Sequence, residues 1–575
     1  MAPARGFLAL LLALLSGVGE ATRLVVECDI AIVGGSLASA AAALAAANAS
    51  SASTRVCFFE ITDWVGGQLT SGGVSAVDFG ATWNFPLNSR LTRAFSELVF
   101  DSGVAGLGAA NPGRCSVSNK CFLPQPAALW LLARLRAQPN LRVFLNTALR
   151  ASELDAGGAI VNLTLVQRTP APGTTGWERP LSEALPDWYS PSPSAAFAKT
   201  ELFVPRPRVV VEASEFGDVL MTAGLPTAQG IELPDEAGAS FDTGCGQAAT
   251  VNFWMGWGAE IAPSPDPVPA GSDGGVPFWL DNGTEHWGGN WSHAMTWRRS
   301  LAADPAAWQQ APGRGDTFLI CSEQDLPNAV LWLPLPQARA QIAAGAWAGG
   351  LNLTALAMGE ARAYAWYHYL KSASVTGPAP VPEALPFLFL NASAAGTGTG
   401  LSKLPYLRES RRAPAGIHGF RLCHWALATM QPPTPNCSLQ GAPDYSGATF
   451  HFPDAVGIGA YAFDIHWLNA SFCSRPPYFP PSQPEPGAGN FFFPFRALTH
   501  AASPNLLLAG KSIAQSYFAN SVTRLHPGEF ASGTAAGAAA ALMVARGWGS
   551  TEAVYESVAE LQGLLKELGQ PLDWD

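Results

Sequence analysis

Ile30-Ala31-Ile32-Val33-Gly34-Gly35-Ser36 is an apolar run of strand length that stops on two glycines and a serine. An alanine-rich, helix-forming run follows from Leu37 to Ala47, and Arg55-Val56-Cys57-Phe58-Phe59 then reads as a second buried strand ending on the acid Glu60. Strand, tight turn, helix, strand, acid is the βαβ unit that holds an adenine dinucleotide. The helix N-terminus offers unpaired N–H groups and a positive dipole end to a pyrophosphate, and the acid accepts from ribose hydroxyls. The second and third glycines of the G-x-G-x-x-G fingerprint fall on Ser36 and Ser39, both small enough for close backbone approach. Gly66-Gly67-Gln68-Leu69-Thr70-Ser71-Gly72-Gly73 follows as a second glycine-rich loop.

The chain of 575 residues is long enough for two or three domains. Its 48 % hydrophobic and 13 % charged content exclude disorder across the whole length. The net charge of −11 argues against a nucleic-acid groove and against docking on anionic membranes. Residues 1–21 read as a secretory signal peptide, with Arg5 as the positive end, Phe7 to Leu15 as the apolar stretch and Gly19-Glu20-Ala21 near a cut. No later run reaches about twenty uninterrupted apolar residues, so no stable membrane insertion is expected after cleavage. Asn-x-Ser/Thr sequons at Asn48, Asn162, Asn282, Asn290, Asn352, Asn391, Asn436 and Asn469 agree with that route. Among the nine cysteines, Cys28 and Cys57 read as buried thiols on core strands. Cys115 with Cys121, and the set Cys423, Cys437 and Cys473, are the disulfide candidates.

Beyond the glycine loops, Pro124 to Gln138 has helical spacing, and Leu141 to Leu145, Ala159 to Gln167 and Arg208 to Ala213 read as strands. Residues 168–199, rich in Pro, Ser and Thr, read as an excursion or flexible loop. From about 236 to 495 Trp, Pro and Gly rise and strands look short, with one helix from Thr354 to Tyr369. Asn505 to Gly510 is again a strand ending in glycine, and Ala531 to Arg546 is a helix of small residues.

Taken together, the Val33-Gly34-Gly35-Ser36 turn with Glu60, the Gly66–Gly73 loop and Glu212-Ala213-Ser214-Glu215-Phe216-Gly217-Asp218 resemble the FAD-dependent oxidoreductases related to fumarate-reductase-type and glutathione-reductase-type flavoproteins. Arg408 to Arg412, Tyr461 to His466, Asn505 to Gly510 and Arg524 to Gly537 extend the likeness in the family's order, while roughly 255–350 carries little of it. The resemblance implies an α/β fold: a Rossmann-like FAD-binding domain built from both ends of the chain, with an inserted mixed α+β substrate or cap domain. The expected division is 24–235 and 496–548 for the FAD domain, 236–495 for the insert and 549–575 for a C-terminal helix. FAD would lie with Gly34, Gly35, Ser36 and Ser39 around the pyrophosphate and Glu60 on the adenosine ribose. Gly66, Gly67, Gln68 and Thr70 would run towards the isoalloxazine, and Gly510 and the helix beginning near Gly533 would close the far end. Relatives often carry His where this chain has Tyr517, and an acid where it has His526.

Flavin chemistry needs a donor held over the ring and usually a base to take a proton. His466, preceded by Asp464, is a candidate base or a structural histidine. Arg524 and His526 lie just before the flavin-facing helix: His526 is a second candidate base, and Arg524 would hold a substrate carboxylate or stabilise reduced flavin, or else make a phosphate or structural ion pair. Arg411-Arg412 could bind an anionic substrate, but an adjacent pair of arginines is more often a solvated or salt-bridged face. Trp254, Trp257, Trp287, Trp291 and Trp297 suggest aromatic walls, used for core packing or as a carbohydrate platform. His286 and His293 lack a third ligand at sensible spacing, so no metal is expected. The expectation is a secreted or lumenal FAD oxidoreductase that oxidises a small organic molecule, with O2 as electron acceptor. A carbohydrate-processing lyase or hydrolase on this scaffold and a non-catalytic binding glycoprotein are the alternatives.

Overall fold

The computed structural model describes residues 22–77, 92–101, 111–118, 120–231, 246–258, 295–304, 312–321, 324–326, 331–376, 386–423, 451–461, 464–466 and 489–574. The expected signal peptide (1–21), four of the sequons (Asn282, Asn290, Asn436, Asn469), His286, His293, Trp287 and Trp291 lie outside them.

The apolar run that opens the chain's core forms strand β1 (Ile30–Val33), buried at every position, and leads into helix α1 (Leu37–Ala49). Next come β2 (Val56–Phe59), β3 (Leu141–Phe144), β4 (Val209–Glu212), β5 (Thr499–His500), β6 (Ser503–Leu508) and helix α2 (His526–Arg546). The strands make one sheet in the order β5–β6–β4–β1–β2–β3, parallel except for the edge pair β5–β6. Both ends of the chain therefore build a single Rossmann-like layer. Its topology switches between β1 and β4, and the crevice beyond their C-terminal ends is where open α/β sheets bind ligands.

Helices α1 and α2 cover this sheet by packing against each other at backbone range. A Cβ at Gly533 would sit 2.1 Å from the Ala38 carbonyl oxygen, and one at Gly537 2.1 Å from that of Ala42. Only glycine fits at those two positions. The helix starts at His526, five residues before the expected Ala531, because Pro527 is accepted in the first turn, where its missing N–H has no intrahelical partner anyway. Gly533 consequently lies two turns inside the helix, against Ala38 in the first turn of α1, and not near the helix start where it was expected.

A second sheet holds strands Thr22–Val25, Phe197–Pro205, Ile160–Pro170 and Thr147–Leu154 in that order, and a third holds Arg299–Leu301, Thr317–Ile320, Phe253–Trp257 and Leu388–Leu390. The third sheet packs with helix Leu353–Thr376 in a separate apolar core around Phe253, Trp366 and Tyr367. The described residues between Ala413 and Phe495, placed with the insert by sequence, pack instead with the Rossmann sheet through Leu422, Val456 and Phe491–Phe493.

Three readings are corrected by the packing. Cys28 and Cys57 are not thiols but a disulfide that ties the approach to β1 onto β2. Residues 168–199 are no flexible loop: they contain the helix Leu181–Tyr189 with Trp188 and Tyr189 each 1 % exposed. Arg411 and Arg412 are fully buried, so they form no solvated face, while the salt-bridged alternative holds for Arg412, which pairs with Glu409 at 2.6 Å; Arg411 donates to the Phe216, Gly349 and Gly350 carbonyls. Cys115 and Cys121 are bridged, and Cys423 is in a disulfide whose partner lies outside the described residues. No helix among the described residues is long and apolar enough to cross a membrane.

Candidate active site

At the switch point the chain turns from Val33 into α1 with Ser36 as the N-cap, its Oγ accepting from Ser39 N at 3.2 Å and donating to the Ala213 carbonyl at 2.6 Å. That last bond ties the glycine turn to the end of β4. Ser39 Oγ donates back to the Ser36 carbonyl at 2.7 Å and fills the space that a Cβ at Gly34 would need. The second loop is seated directly on the first. Gly67 has φ +52°, and a Cβ there would lie 2.4 Å from Ser36 Cα. Gly66 is left-handed as well, at φ +119°, while Thr70 Oγ1 closes the loop on the Val65 carbonyl. Gln68 reaches the C-terminal part of the chain, donating from Nε2 to the Arg524 carbonyl at 2.7 Å.

Glu60 ends β2 in full burial. Its Oε1 accepts from Thr62 N at 3.1 Å, whereas Oε2 has no hydrogen-bond partner. Burial pushes the carboxyl up to about 8, with Thr62 pulling it down and Glu215 and Asp63 adding like charge. An unmet carboxylate oxygen inside protein is costly unless a ligand supplies donors.

Gly510, at the end of β6, has φ +63° and borders Ser36 and Ala38, and its N–H donates to Ser532 Oγ at 3.0 Å. The next residue, Lys511, is buried between two acids, with Nζ 3.0 Å from Glu215 and 2.6 Å from Glu529. Burial opposes its charge, but the two carboxylates outweigh burial and raise its pKa. Glu215 itself is pushed up to about 7 by burial, against the pull of Lys511. A Cβ at Gly35 would lie 3.9 Å from Glu215 Cγ, so this triad adjoins the glycine turn.

A charged network occupies the other end. Asp464 accepts from Arg524 Nη2 at 2.8 Å and from His466 Nε2 at 3.3 Å. His466 Nδ1 lies 2.9 Å from Asp325, which also takes Arg408 Nη1 at 2.9 Å. Arg524 Nη1 donates further to Tyr406 Oη. Burial and Arg408 oppose a charge on His466, yet Asp464 and Asp325 prevail and raise its pKa. Asp325 is held at about 2, burial being outweighed by Arg408 and His466. His526 is the contrary case: it is 1 % exposed and neither ring nitrogen has a hydrogen bond of good geometry. Burial, with Arg298 and Lys511 near it, depresses its pKa to about 3; the nearby Val74 carbonyl only partly offsets this.

The structure thus packs Gly34, Gly35, Ser36, Ser39, Gly66, Gly67, Gln68, Thr70 and Gly510 against one another beyond the C-terminal ends of the parallel strands, sets Glu60 directly after β2, and links His466 to Arg524 through Asp464. His526 follows Arg524 at the start of α2. Sequence reasoning missed Asp325, Tyr406, Glu215, Lys511 and Glu529 as part of this arrangement. Lys511, directly after the glycine that ends β6, carried the one local signal. Trp257 is buried in the core around Phe253 and Trp366, and Trp254 in a smaller cluster with Leu319, so among the described residues these two form no open carbohydrate platform.

A parallel sheet with this switch point, a capped glycine turn and an orphaned acid at the end of β2 defines a dinucleotide-binding flavoprotein. The sequence model of the FAD dependent oxidoreductase family matches residues 29–175 and 194–565. The chain belongs to that family: it is an FAD-dependent oxidoreductase. Among curated proteins none matches. Solved structures similar to it include adenylylsulfate reductase from the hyperthermophilic Archaeoglobus fulgidus, at 13 % identity over 96 % of this chain and 74 % of that one, with TM-score 0.30. E. coli quinol fumarate reductase FrdA is similar at 10 % identity over 94 % and 75 %, with TM-score 0.27. The p-nitrophenol 4-monooxygenase PnpA from Pseudomonas putida DLL-E4 is 13 % identical over 40 % of this chain, which spans 48 % of that structure, with TM-score 0.21. At these identities and scores the likeness carries no argument about substrate. The residues present fit FAD: the fully buried Glu60 Oε2 has no hydrogen-bond partner in the protein, an orphaned acceptor that a ligand's hydroxyl donors would satisfy.

Proposed function

We propose that this protein oxidises a small organic molecule in the secretory pathway or outside the cell and passes the electrons to O2. Bound FAD supplies hydride acceptance from a donor held against its ring. The chain's own residues supply the rest. Gly34 to Ser39 and the first turn of α1 receive the pyrophosphate, Glu60 accepts from the adenosine ribose, and the loop from Gly66 to Thr70 leads to the reacting end.

The observation that carries the reading is the contrast between two histidines. His466 has a carboxylate at each ring nitrogen and is held cationic, which suits anchoring and not proton abstraction. His526 is neutral, with a lone pair uncommitted, so of the two it is the one free to take a proton, although burial makes it a weaker base than an ordinary imidazole. Arg524 and Arg408, with cationic His466, outnumber Asp464 and Asp325 by one charge, so an anionic or carbonyl-bearing substrate is favoured over a cation. Arg524, locked by Asp464 and Tyr406, would orient that group. The bridges Cys28–Cys57 and Cys115–Cys121 support an oxidising compartment.

Peroxide release from secreted protein against a panel of small acids, amines and sugars tests this reading. With an identified substrate, His526→Gln should slow flavin bleaching by a factor on the order of 10²–10⁴, the usual range for loss of a general base. Arg524→Ala should chiefly raise KM. Bleaching at the wild-type rate in His526→Gln, with FAD fully bound, removes His526 as the base.

A further inference from the structure

Residues 176–193 lie between the two stretches matched to the family and carry the helix Leu181–Tyr189. Two tryptophans of this segment, Trp177 and Trp188, meet edge to face with centroids 5.2 Å apart. The strands on either side of the segment pair with Arg168 opposite Lys199. Two buried cations opposite each other repel unless each has its own partners, and here each does. Lys199 Nζ donates to the Asp187 carbonyl and to that of Ser190 at 3.1 Å, and pairs with Asp187 Oδ1 at 3.0 Å. A cation on the unmet carbonyls of a helix end fixes that helix to its sheet.

Arg168 uses the helix once it is fixed. Its guanidinium carbon lies 4.2 Å from the centroid of Trp188, and Nη2 donates to the Ile61 carbonyl at 2.6 Å. A second arm starts from Trp177. Lys403 Nζ sits 3.8 Å from the centroid of Trp177 and 4.6 Å from that of Trp64, pairs with Asp63 at 3.0 Å and donates to the Gly396 carbonyl at 2.8 Å. Both arms end on residues 60–64, at Ile61 and at Asp63. Between them stands Thr62, whose N–H holds Glu60 Oε1 and leaves Oε2 without a partner.

We propose that residues 176–193 brace the adenosine end of the FAD site, holding the Glu60 loop in register through the pairs Trp188–Arg168 and Trp177–Lys403. The inference rests on the reading of Glu60 as the ribose acid. Arg168, Lys403 and the two tryptophans are then positioning residues that act through that loop. A site whose supporting shell loosens by about 1 Å loses much of its binding. A cation–π contact removed from a desolvated place corresponds to an effect on the order of tenfold.

FMN separates a brace from general support, because it shares the flavin, ribityl and first phosphate of FAD but has no adenosine. The full-length chain, stripped of flavin, is titrated with FAD and with FMN. Arg168→Met and Lys403→Met should each weaken FAD on the order of tenfold and leave FMN unchanged. Trp188→Leu should behave likewise, while Trp188→Phe, which keeps an aromatic face, should retain most of the FAD affinity. If a methionine variant fails to fold, Arg168→Lys serves in its place, since a lysine lacks the planar fork that spans ring and carbonyl. Equal losses for both flavins, or no loss, overturn the brace. With Glu60→Ala titrated alongside, an FAD-specific loss there and none in the Arg168 and Lys403 variants overturns the brace alone. No FAD-specific loss in Glu60→Ala overturns the ribose reading and the brace with it.

Discussion

His526 and Glu60 are both buried titratable groups with an unmet atom, and both are held uncharged by burial near neutral pH. Their linkage to pH runs in opposite directions. The folded pKa of His526, about 3, lies below the ordinary 6.5, so its contribution to stability is complete above 6.5 and is lost as pH falls towards 3. His526→Gln should therefore flatten the acid side of the urea-midpoint profile of cofactor-free protein; an unchanged slope between those pH values would remove the account of its burial. Glu60, folded at about 8 against an ordinary 4.5, is favoured in its neutral form, a stability lost as pH rises through 8. Ribose hydroxyls donate best to the carboxylate, so FAD binding should release a proton and tighten as pH rises towards 8. Glu60→Gln should abolish that slope and weaken FAD by roughly 1.5–3 kcal/mol, the range for a hydrogen bond to a charged group. Calorimetry in buffers of different ionisation enthalpy reads the proton directly. Glu60 was legible in the sequence because an acid closing a buried strand has few other uses. Asp325 and Tyr406 were not, because their partners lie 75 to 141 residues away and no spacing announces them.

At the scale of elements, the contact between α1 and α2 sets how the two ends of the chain meet. Alanine is ordinarily the better helix former, by about 1 kcal/mol over glycine. Here the sign should reverse: Gly537→Ala would drive a methyl into the Ala42 carbonyl and cost about 1–3 kcal/mol in chemical denaturation. A neutral or stabilising result would mean that the helices can part without loss. The sequence showed α2 as a stripe of small residues but not its true start, since His526-Pro527-Gly528 has the composition of a turn. The helix Leu181–Tyr189 was hidden for a related reason. Its surroundings are rich in Pro and Ser, and what fixes it is Lys199 on its last carbonyls and Arg168 on Trp188, contacts that local composition does not encode.

For the molecule as a whole, the sheet joins strands from residue 30 to residue 508, and the Cys28–Cys57 bridge closes the unit that carries the glycine turn. Replacing both cysteines by alanine should cost about 2–4 kcal/mol, as for loops of this order of length; an unaffected unfolding midpoint would show that the sheet alone holds the turn. Both-end construction was readable because each end carried a strand followed by glycine and a helix of small residues. The packing of Ala413 to Phe495 was not, because its short strands and aromatic content suit either core. The central claim, that both ends of the chain close on FAD between Glu60 and the start of α2, is tested most directly by the absorption spectrum of protein purified from a secreting eukaryotic cell, taken before and after acid precipitation beside Glu60→Ala. The account predicts flavin bands equimolar with the wild-type chain and depleted in the variant. A colourless wild-type protein that takes up no added FAD would contradict it.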